Sequence, residues 1–283
     1  MKLGIVVKSR TDFAARLQEL LGWLKERDCE PLLDESTDRT FDFSGFASLP
    51  REELPEKADA IVVFGGDGTF LSVARTIQDQ STPILGVNLG SLGFLTEVTL
   101  TELYPALESF LRGDYRLETR CMLMAEVRQL TGEVTIYHAL NDVVINKGTL
   151  ARIITMEAYV GEDFVALYLA DGIIIATPTG STAYSLSAGG PIVFPTLDAV
   201  IMTPICPHTL TNRAVVIPAN SDIRIKLKSG EDVMLTIDGQ VGVGLKEGDE
   251  VICSRSSHTV RLIKPTGKHF FNVLREKLKW GQR

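Results

Sequence analysis

Ala60-Ile61-Val62-Val63-Phe64-Gly65-Gly66-Asp67-Gly68-Thr69-Phe70-Leu71 is the stretch whose reading decides the fold of this chain. Five consecutive apolar residues suit a strand covered on both faces. Two glycines then permit a sharp turn, and Phe70, Leu71, Val73, Ala74 and Ile77 recur at helical spacing. The spacing predicts a helix opening just after Gly68. A buried strand that feeds a helix through a glycine turn is the repeating unit of a parallel, doubly wound sheet.

The residues before and after this stretch extend the same pattern. Residues 3–7 form another apolar run, and Thr11 is placed to cap a helix carrying Phe13, Leu17, Leu20, Leu21 and Leu24. Pro31-Leu32-Leu33 reads as a short second strand and residues 83–87 as a further buried one. Residues 35–57 show no period and predict a mobile loop. The expected first domain is therefore a doubly wound α/β unit over residues 1–115. Beyond Tyr115 the pattern changes to short strands, predicted over 122–127, 134–138, 153–160, 164–169, 173–176, 215–217, 223–227, 233–237 and 251–253. Polar turns such as Gly161-Glu162-Asp163 separate them, which predicts a β-sandwich-like domain over residues 116–267 with a helical interruption at 181–188. The fold class is α/β plus β. Residues 270–280 are amphipathic, and the segment 268–283 is expected to pack as a helix on the first domain, a free tail being the other reading.

Composition narrows the function. The chain has 283 residues, 45% of them hydrophobic, enough for a core that needs no disulfide or metal staple. Lys and Arg number 29 against 36 Asp and Glu, a net charge of −7, which disfavours a broad nucleic-acid or anionic-membrane surface. No apolar run approaches the roughly 20 residues needed to span a bilayer. The N-terminus reads as a first strand that turns charged at Lys8 and Arg10, not as a signal peptide. Cys29, Cys121, Cys206 and Cys253 form no CxxC pair and suit a reducing cytoplasm. The four histidines have no metal-ligand spacing, and Cys206-Pro207-His208 is too little for a zinc site.

Four segments carry chemistry. In Gly65-Gly66-Asp67-Gly68-Thr69, the glycines let backbone amides approach a polyanion at a helix start. Asp67 would repel that anion unless it takes a proton, binds a hydroxyl or helps carry Mg²⁺, a placement that fits phosphoryl transfer to an alcohol. A tight turn with an incidental Asp is the plainer reading. Asn88-Leu89-Gly90-Ser91-Leu92-Gly93-Phe94-Leu95 also follows a strand, and its glycines either line the same crevice or merely shape a loop. Asn141-Asp142 can read a ribose and a base edge, or can open a strand as an Asx turn. Arg152 suits a phosphate or a solvated strand position. In the long stretch from Asp171 to Pro191, a buried strand runs into hydroxyls around Tyr184. Those groups fit a nucleotide's polar edges and a stacked base, or a helix capped by Ser181 or Thr182 with Tyr184 in the core.

Gly-Gly-Asp-Gly-Thr at 65–69, Asn141-Asp142, the stretch 171–191 and Asp238-Gly239-Gln240 occur in the order seen in bacterial NAD kinases, which the chain resembles along essentially its whole length. The Gly-Gly-Asp-Gly motif alone is also similar to diacylglycerol and sphingosine kinases and, more distantly, phosphofructokinases. The resemblance implies an ATP-dependent transfer to the 2′-hydroxyl of the adenosine ribose of NAD, giving NADP. It implies that Asp67 contacts that ribose and accepts its proton, with Gly68 beside it. Asn141 and Asp142 would hold the adenosine portion, and Asp171 the nicotinamide end. Thr182, Ala183, Tyr184, Ser185, Leu186 and Ser187 would wall the dinucleotide, with Gln240 contributed by a neighbouring β segment and Arg152 a weaker correspondence. It further implies an NAD site between the domains and a homodimer or homotetramer. ATP phosphates would lie against Gly65, Gly66, Gly68 and Thr69, with Mg²⁺ bridging their oxygens and its protein ligands unknown.

Neither GxxxxGK[ST] nor a strand-following GxGxxG is present, so an ordinary P-loop and a standard Rossmann fingerprint are both absent. NAD is thus expected as a substrate, not as a hydride carrier. A lipid kinase and a non-catalytic nucleotide sensor are the alternatives. The first should carry a greasy or basic membrane-facing surface that this acidic chain does not display.

Overall fold

In the computed structural model, β1 (Lys2–Val7), β2 (Glu30–Asp34), β3 (Ala47–Leu49), β4 (Ala60–Gly65) and β5 (Ile84–Asn88) form a parallel sheet in the order β3-β2-β1-β4-β5. β6 (Val98–Thr99) pairs with β5 in parallel. The helices of this part are α1 (Ala14–Lys25), α2 (Glu35–Phe41), α3 (Leu54–Lys57), α4 (Asp67–Ala74) and α5 (Leu103–Leu111). The structure describes all residues except 9–12, 42, 44, 78–81, 149–151 and 281–283, together with the side chain of Asp38. The proposed Thr11 cap lies outside the described residues.

The chain divides into two units, Met1–Thr119 with Thr259–Arg283, and Arg120–His258. In the first, β1 and β4 are buried almost throughout because helices cover both faces of a parallel sheet. Leu17, Leu20, Leu21 and Leu24 of α1 pack against Leu3, Ile5, Val62 and Phe64 in one core. Residues 35–57 depart from the expected loop: they contain α2, β3, a 3-10 turn over Arg51–Glu53 and α3. The cause is tertiary. Arg51 pairs with buried Asp34 at 2.8 Å, and Thr37 accepts the Val7 amide at 2.9 Å, so polar residues without a period are fixed by distant partners.

Among the described residues the second unit is built of antiparallel strand pairs, interrupted by a 3-10 turn and one short α-helix. It comprises β7 (Tyr115–Arg128, entering from the first unit), β8 (Val134–Ala139), β9 (Asp142–Lys147), β10 (Ile154–Val160), β11 (Asp163–Ala170), β12 (Gly172–Ala176), α6 (Tyr184–Ser187), β13 (Ala199–Ile205), β14 (Val215–Pro218), β15 (Ile223–Ser229), β16 (Val233–Ile237), β17 (Val241–Leu245) and β18 (Glu250–Pro265, returning to the first unit). Six strands form a sheet in the order β14-β13-β12-β9-β16-β17, while β11, β10, β15 and the first residues of β18 pair in that order. The core is shared by side chains such as Val143, Ile145, Ile173 and Ile175 from the first set and Ile154, Met156, Ile223 and Ile225 from the second. Val144, Ile174 and Ile201 point to the other face and pack under Val193. Both faces of β9 and β12 are therefore covered, which explains the apolar runs Val143–Ile145 and Ile173–Ala176 in these antiparallel strands. The α/β-plus-β fold class holds. α7 (Phe270–Leu278) follows β18 in the first unit and buries Val273 and Leu274. Among the described residues, no helix is long and apolar enough to cross a membrane.

Candidate active site

From β1 the chain builds β2 and β3 to one side and β4 and β5 to the other. The carboxyl ends of β1 and β4 thus part at a topological switch point, where open α/β sheets take their ligands. A cavity of about 270 Å³ lies there, lined by Lys8 after β1, Gly65 and Gly66 at the end of β4, and residues 88–91 at the end of β5. Glycine at 65 is obligatory, since a Cβ there would sit 2.5 Å from Thr69 Oγ1.

Asp67 is the first residue of α4, with Gly66 as N-cap. Its Oδ2 accepts the Phe94 amide at 2.9 Å, and its Oδ1 accepts the Leu95 and Thr96 amides at 3.0 and 3.2 Å and the Thr96 hydroxyl at 3.2 Å. Asn88 braces the same turn by donating to Thr96 Oγ1 at 3.0 Å and accepting the Gly90 amide at 2.6 Å. A Cβ at Gly93 would lie 2.1 Å from Asp67 Oδ1, so the turn approaches the carboxylate as closely as a backbone can. The two glycine-rich segments of this unit thus form one site. The carboxylate is compatible with a neighbouring anion because three amides and a hydroxyl already stabilise its charge. For a dication the setting is sparse: the described residues hold no cluster of three or more His, Cys, Asp or Glu. Asp67 is the acidic residue in the first turn of α4. One carboxylate beside a phosphate cradle fits a Mg²⁺ carried mainly by nucleotide oxygens and water, not a caged structural ion.

In the second unit, three of the predicted segments meet at one end of the six-stranded sheet. Antiparallel pairing puts the start of β9, the end of β12 and the β16–β17 turn side by side, with Asp142 opposite Ala176 and Ile237 opposite Val143. Asp238 and Gly239 take φ of 50° and 62°, a tight turn of the type an Asp-Gly pair favours. There the buried Asp238 carboxylate accepts the amides of Leu140, Asn141 and Asp142 at 3.0, 2.7 and 3.1 Å. Thr177 donates its amide to Asn141 O at 2.9 Å and its hydroxyl to Leu140 O at 2.5 Å. A Cβ at Gly180 would come within 2.1 Å of Asn141 O. Burial, and then the charge of Asp238, push the Asp142 carboxyl up to about 7.

Several hydroxyls of the 177–187 stretch serve this scaffold. Ser181 donates to Pro178 O and accepts the Val193 amide, Thr182 donates to Thr179 O, and buried Ser185 bonds Thr203 at 2.9 Å. The expected continuous helix is instead a 3-10 turn over Gly180–Thr182 and the single turn α6, and neither Ser181 nor Thr182 caps it. Tyr184 is 44% exposed, which overturns the core alternative and leaves its ring face accessible. Ala183 and Leu186 are half-buried, and Ser187 and Gln240 exposed. Asp171 is not part of this cluster. It precedes β12 at the opposite end, about 17 Å away along five strand residues, where it faces Lys147 at 3.6 Å. Arg152 is exposed. Sequence reasoning had passed over Lys8 and Asp238. The first is simply the residue that follows a buried strand, and the second was noticed only as part of the Asp-Gly-Gln match.

The ATP-NAD kinase N-terminal domain model matches residues 3–115 and the ATP-NAD kinase C-terminal domain model residues 140–265. The chain is 49% identical to an NAD kinase of Solibacter usitatus, covering 99% of this chain and 98% of that one, and 54% identical to an NAD kinase of Geobacter metallireducens, covering 94% and 93%. Its fold superposes on a yeast NADH kinase complexed with NADH at a TM-score of 0.93 (27% identity, 100% and 89% covered). For an NAD kinase from Archaeoglobus fulgidus in complex with ATP the TM-score is 0.79 (26% identity, 99% and 100% covered). Two family models that together span most of the chain, and relatives about half identical from end to end, make this chain a member of the NAD kinase family.

Proposed function

We propose that the chain transfers the γ-phosphoryl group of ATP to the 2′-hydroxyl of the adenosine ribose of NAD, with Asp67 as the group that receives the hydroxyl proton. The observation that carries this reading is the Asp67 carboxylate at the start of α4, held by the amides of residues 94–96 beside the Gly65-Gly66 cradle. A carboxylate fixed by four donors cannot swing away, so its unused lone pair is pre-aimed at an incoming hydroxyl. Backbone amides and Lys8 suit the donor phosphates. Mg²⁺ bound with ATP would neutralise phosphate charge, its protein ligands being unassigned. The first unit would then take ATP, and the second the dinucleotide, through Asn141, Asp142, Gln240 and the Thr182–Ser187 wall around Tyr184. Asp171 stands apart from that cluster and is assigned to the nicotinamide end of the dinucleotide by resemblance alone, and Arg152 is a weaker correspondence with no assigned place.

A homo-oligomer in the cytoplasm completes the proposal. β11 pairs with β10 alone among the described residues, yet Phe164, Val165, Leu167 and Leu169 along it are exposed, an apolar edge that a lone soluble subunit avoids. All four cysteines are free. The direct test is NADP formation from NAD and Mg-ATP, repeated with NADH as acceptor and inorganic polyphosphate as donor. With NADH the product would be NADPH; failure to form NADP from NAD and Mg-ATP would refute the reading.

A further inference from the structure

One residue beyond the amides that grip Asp67, Glu97 forms an ion pair with Lys264, Nζ to Oε1 at 2.6 Å, with each side chain 7% exposed. Lys268 reaches the same place, donating to the Glu97 carbonyl at 2.6 Å and to Glu102 Oε2 at 2.7 Å. Glu102 in turn closes a capping box with Thr99, which anchors the far side of the turn. Both lysines belong to the segment that returns to the first unit after the β-rich unit, 167 and 171 residues from Glu97. The turn that holds Asp67 is thus pinned from behind by the last part of the chain.

We propose that Lys264, through its buried pair with Glu97, is a positioning residue for Asp67. This rests on the reading of Asp67 as the group that meets the acceptor hydroxyl. Burying two charges costs most of what their attraction returns, so the pair adds little net stability. What it does impose is one geometry: Glu97 can satisfy its charge only with its backbone where Lys264 holds it, and the Leu95 and Thr96 amides directly precede it. A pair of apolar side chains would fill the same volume without fixing that register. Displacement of a reacting group by about 1 Å costs on the order of 10²-fold in rate, so a small slackening of this turn falls on turnover and not on affinity.

The test compares Glu97→Gln/Lys264→Met with the intact protein, because Lys264→Met alone would strand a buried carboxylate and unfold part of the unit. The double variant should keep its thermal midpoint within a few degrees. Its kcat should fall about 10-fold or more, with KM for NAD and for ATP within about 3-fold, and amide exchange of residues 93–97 should quicken. In an Asp67→Asn background the same double change should cost no further turnover, since there is no carboxylate left to position. Lys264→Arg, which keeps the charge, should retain most of the activity. A folded double variant with kcat within 2-fold of the intact protein, unchanged exchange at 93–97, or an equal loss in the Asp67→Asn background would each overturn the proposal. If instead Asp67→Asn alone turned over normally, it would be the reading of Asp67 that fails.

Discussion

Asp142 offers a measurement in which the sign of the effect is dictated by the site. Its carboxyl is buried and faces the charge of Asp238, which raises it from 3.8 to about 7. A folded-state value above the unfolded one means that the folded protein holds the proton more tightly. The contribution to stability is therefore complete below pH 3.8, erodes as pH rises, and is gone above about 7. Between pH 5 and 8.5 the folded protein crosses about two of those units, and at 1.36 kcal/mol each this is about 3 kcal/mol. Asp142→Asn keeps the shape and cannot ionise, so its stability relative to the parent should rise by about that amount over the same range. Trp23 and Trp280 both lie outside the second unit. Unfolding is therefore better followed in urea by circular dichroism, with amide exchange of residues 140–145 as the local probe. A stability difference that stays flat between pH 5 and 8.5, or that moves against the variant as pH rises, would show that Asp142 is not held protonated by burial and Asp238.

Four further outcomes follow from the same geometry. Asp67→Asn should lower kcat about 10²-fold with a smaller change in KM for NAD, as for loss of a general base; steady-state NADP formation checks it. Lys8→Ala should raise KM for ATP about 10- to 100-fold while KM for NAD holds, because one charge-assisted phosphate contact is worth about 1.5–3 kcal/mol; an unchanged ATP dependence removes Lys8 from the donor site. Gly180→Ala would force a methyl group against the Asn141 carbonyl and should cost about 1–3 kcal/mol or more, seen as a lowered melting temperature. Leu167→Lys puts a charge on the exposed apolar edge of β11 and should yield a smaller species in sedimentation; an unaltered sedimentation coefficient would place the oligomer contact elsewhere.

β1, β4 and β5 were legible as apolar runs, and α1 and α4 by apolar residues at helical spacing, leucines in α1 and Phe70, Leu71, Val73 and Ala74 in α4. β13 and β17 were not. The apolar run Ala199–Met202 of β13 is broken by Thr203 and Pro204, and β17 alternates Val with Gly, which packs no side chain on one face; both are specified by the strands beside them. Residues 35–57 failed for a related reason, since their order comes from polar partners far along the chain.

For the site, local sequence was enough to mark Gly65 to Thr69 as a close-approach turn at a helix start, because glycine and a cap position are local properties. The sequence alone also sufficed to put the chain beside the NAD kinases. What only the tertiary structure decided is how Asp67 tolerates its own charge, why the Asp142 carboxyl is pushed up, and which hydroxyls between 177 and 187 are already engaged. The deciding groups lie far along the chain for Asp67, Asp142 and Ser185, namely the amides of 94–96, the Asp238 carboxylate and Thr203, while Ser181 and Thr182 are engaged closer by. Burial and hydrogen-bond partnership are properties of neighbours in space, and a strand crossing or a returning terminal segment supplies those neighbours without leaving any trace in the adjacent sequence.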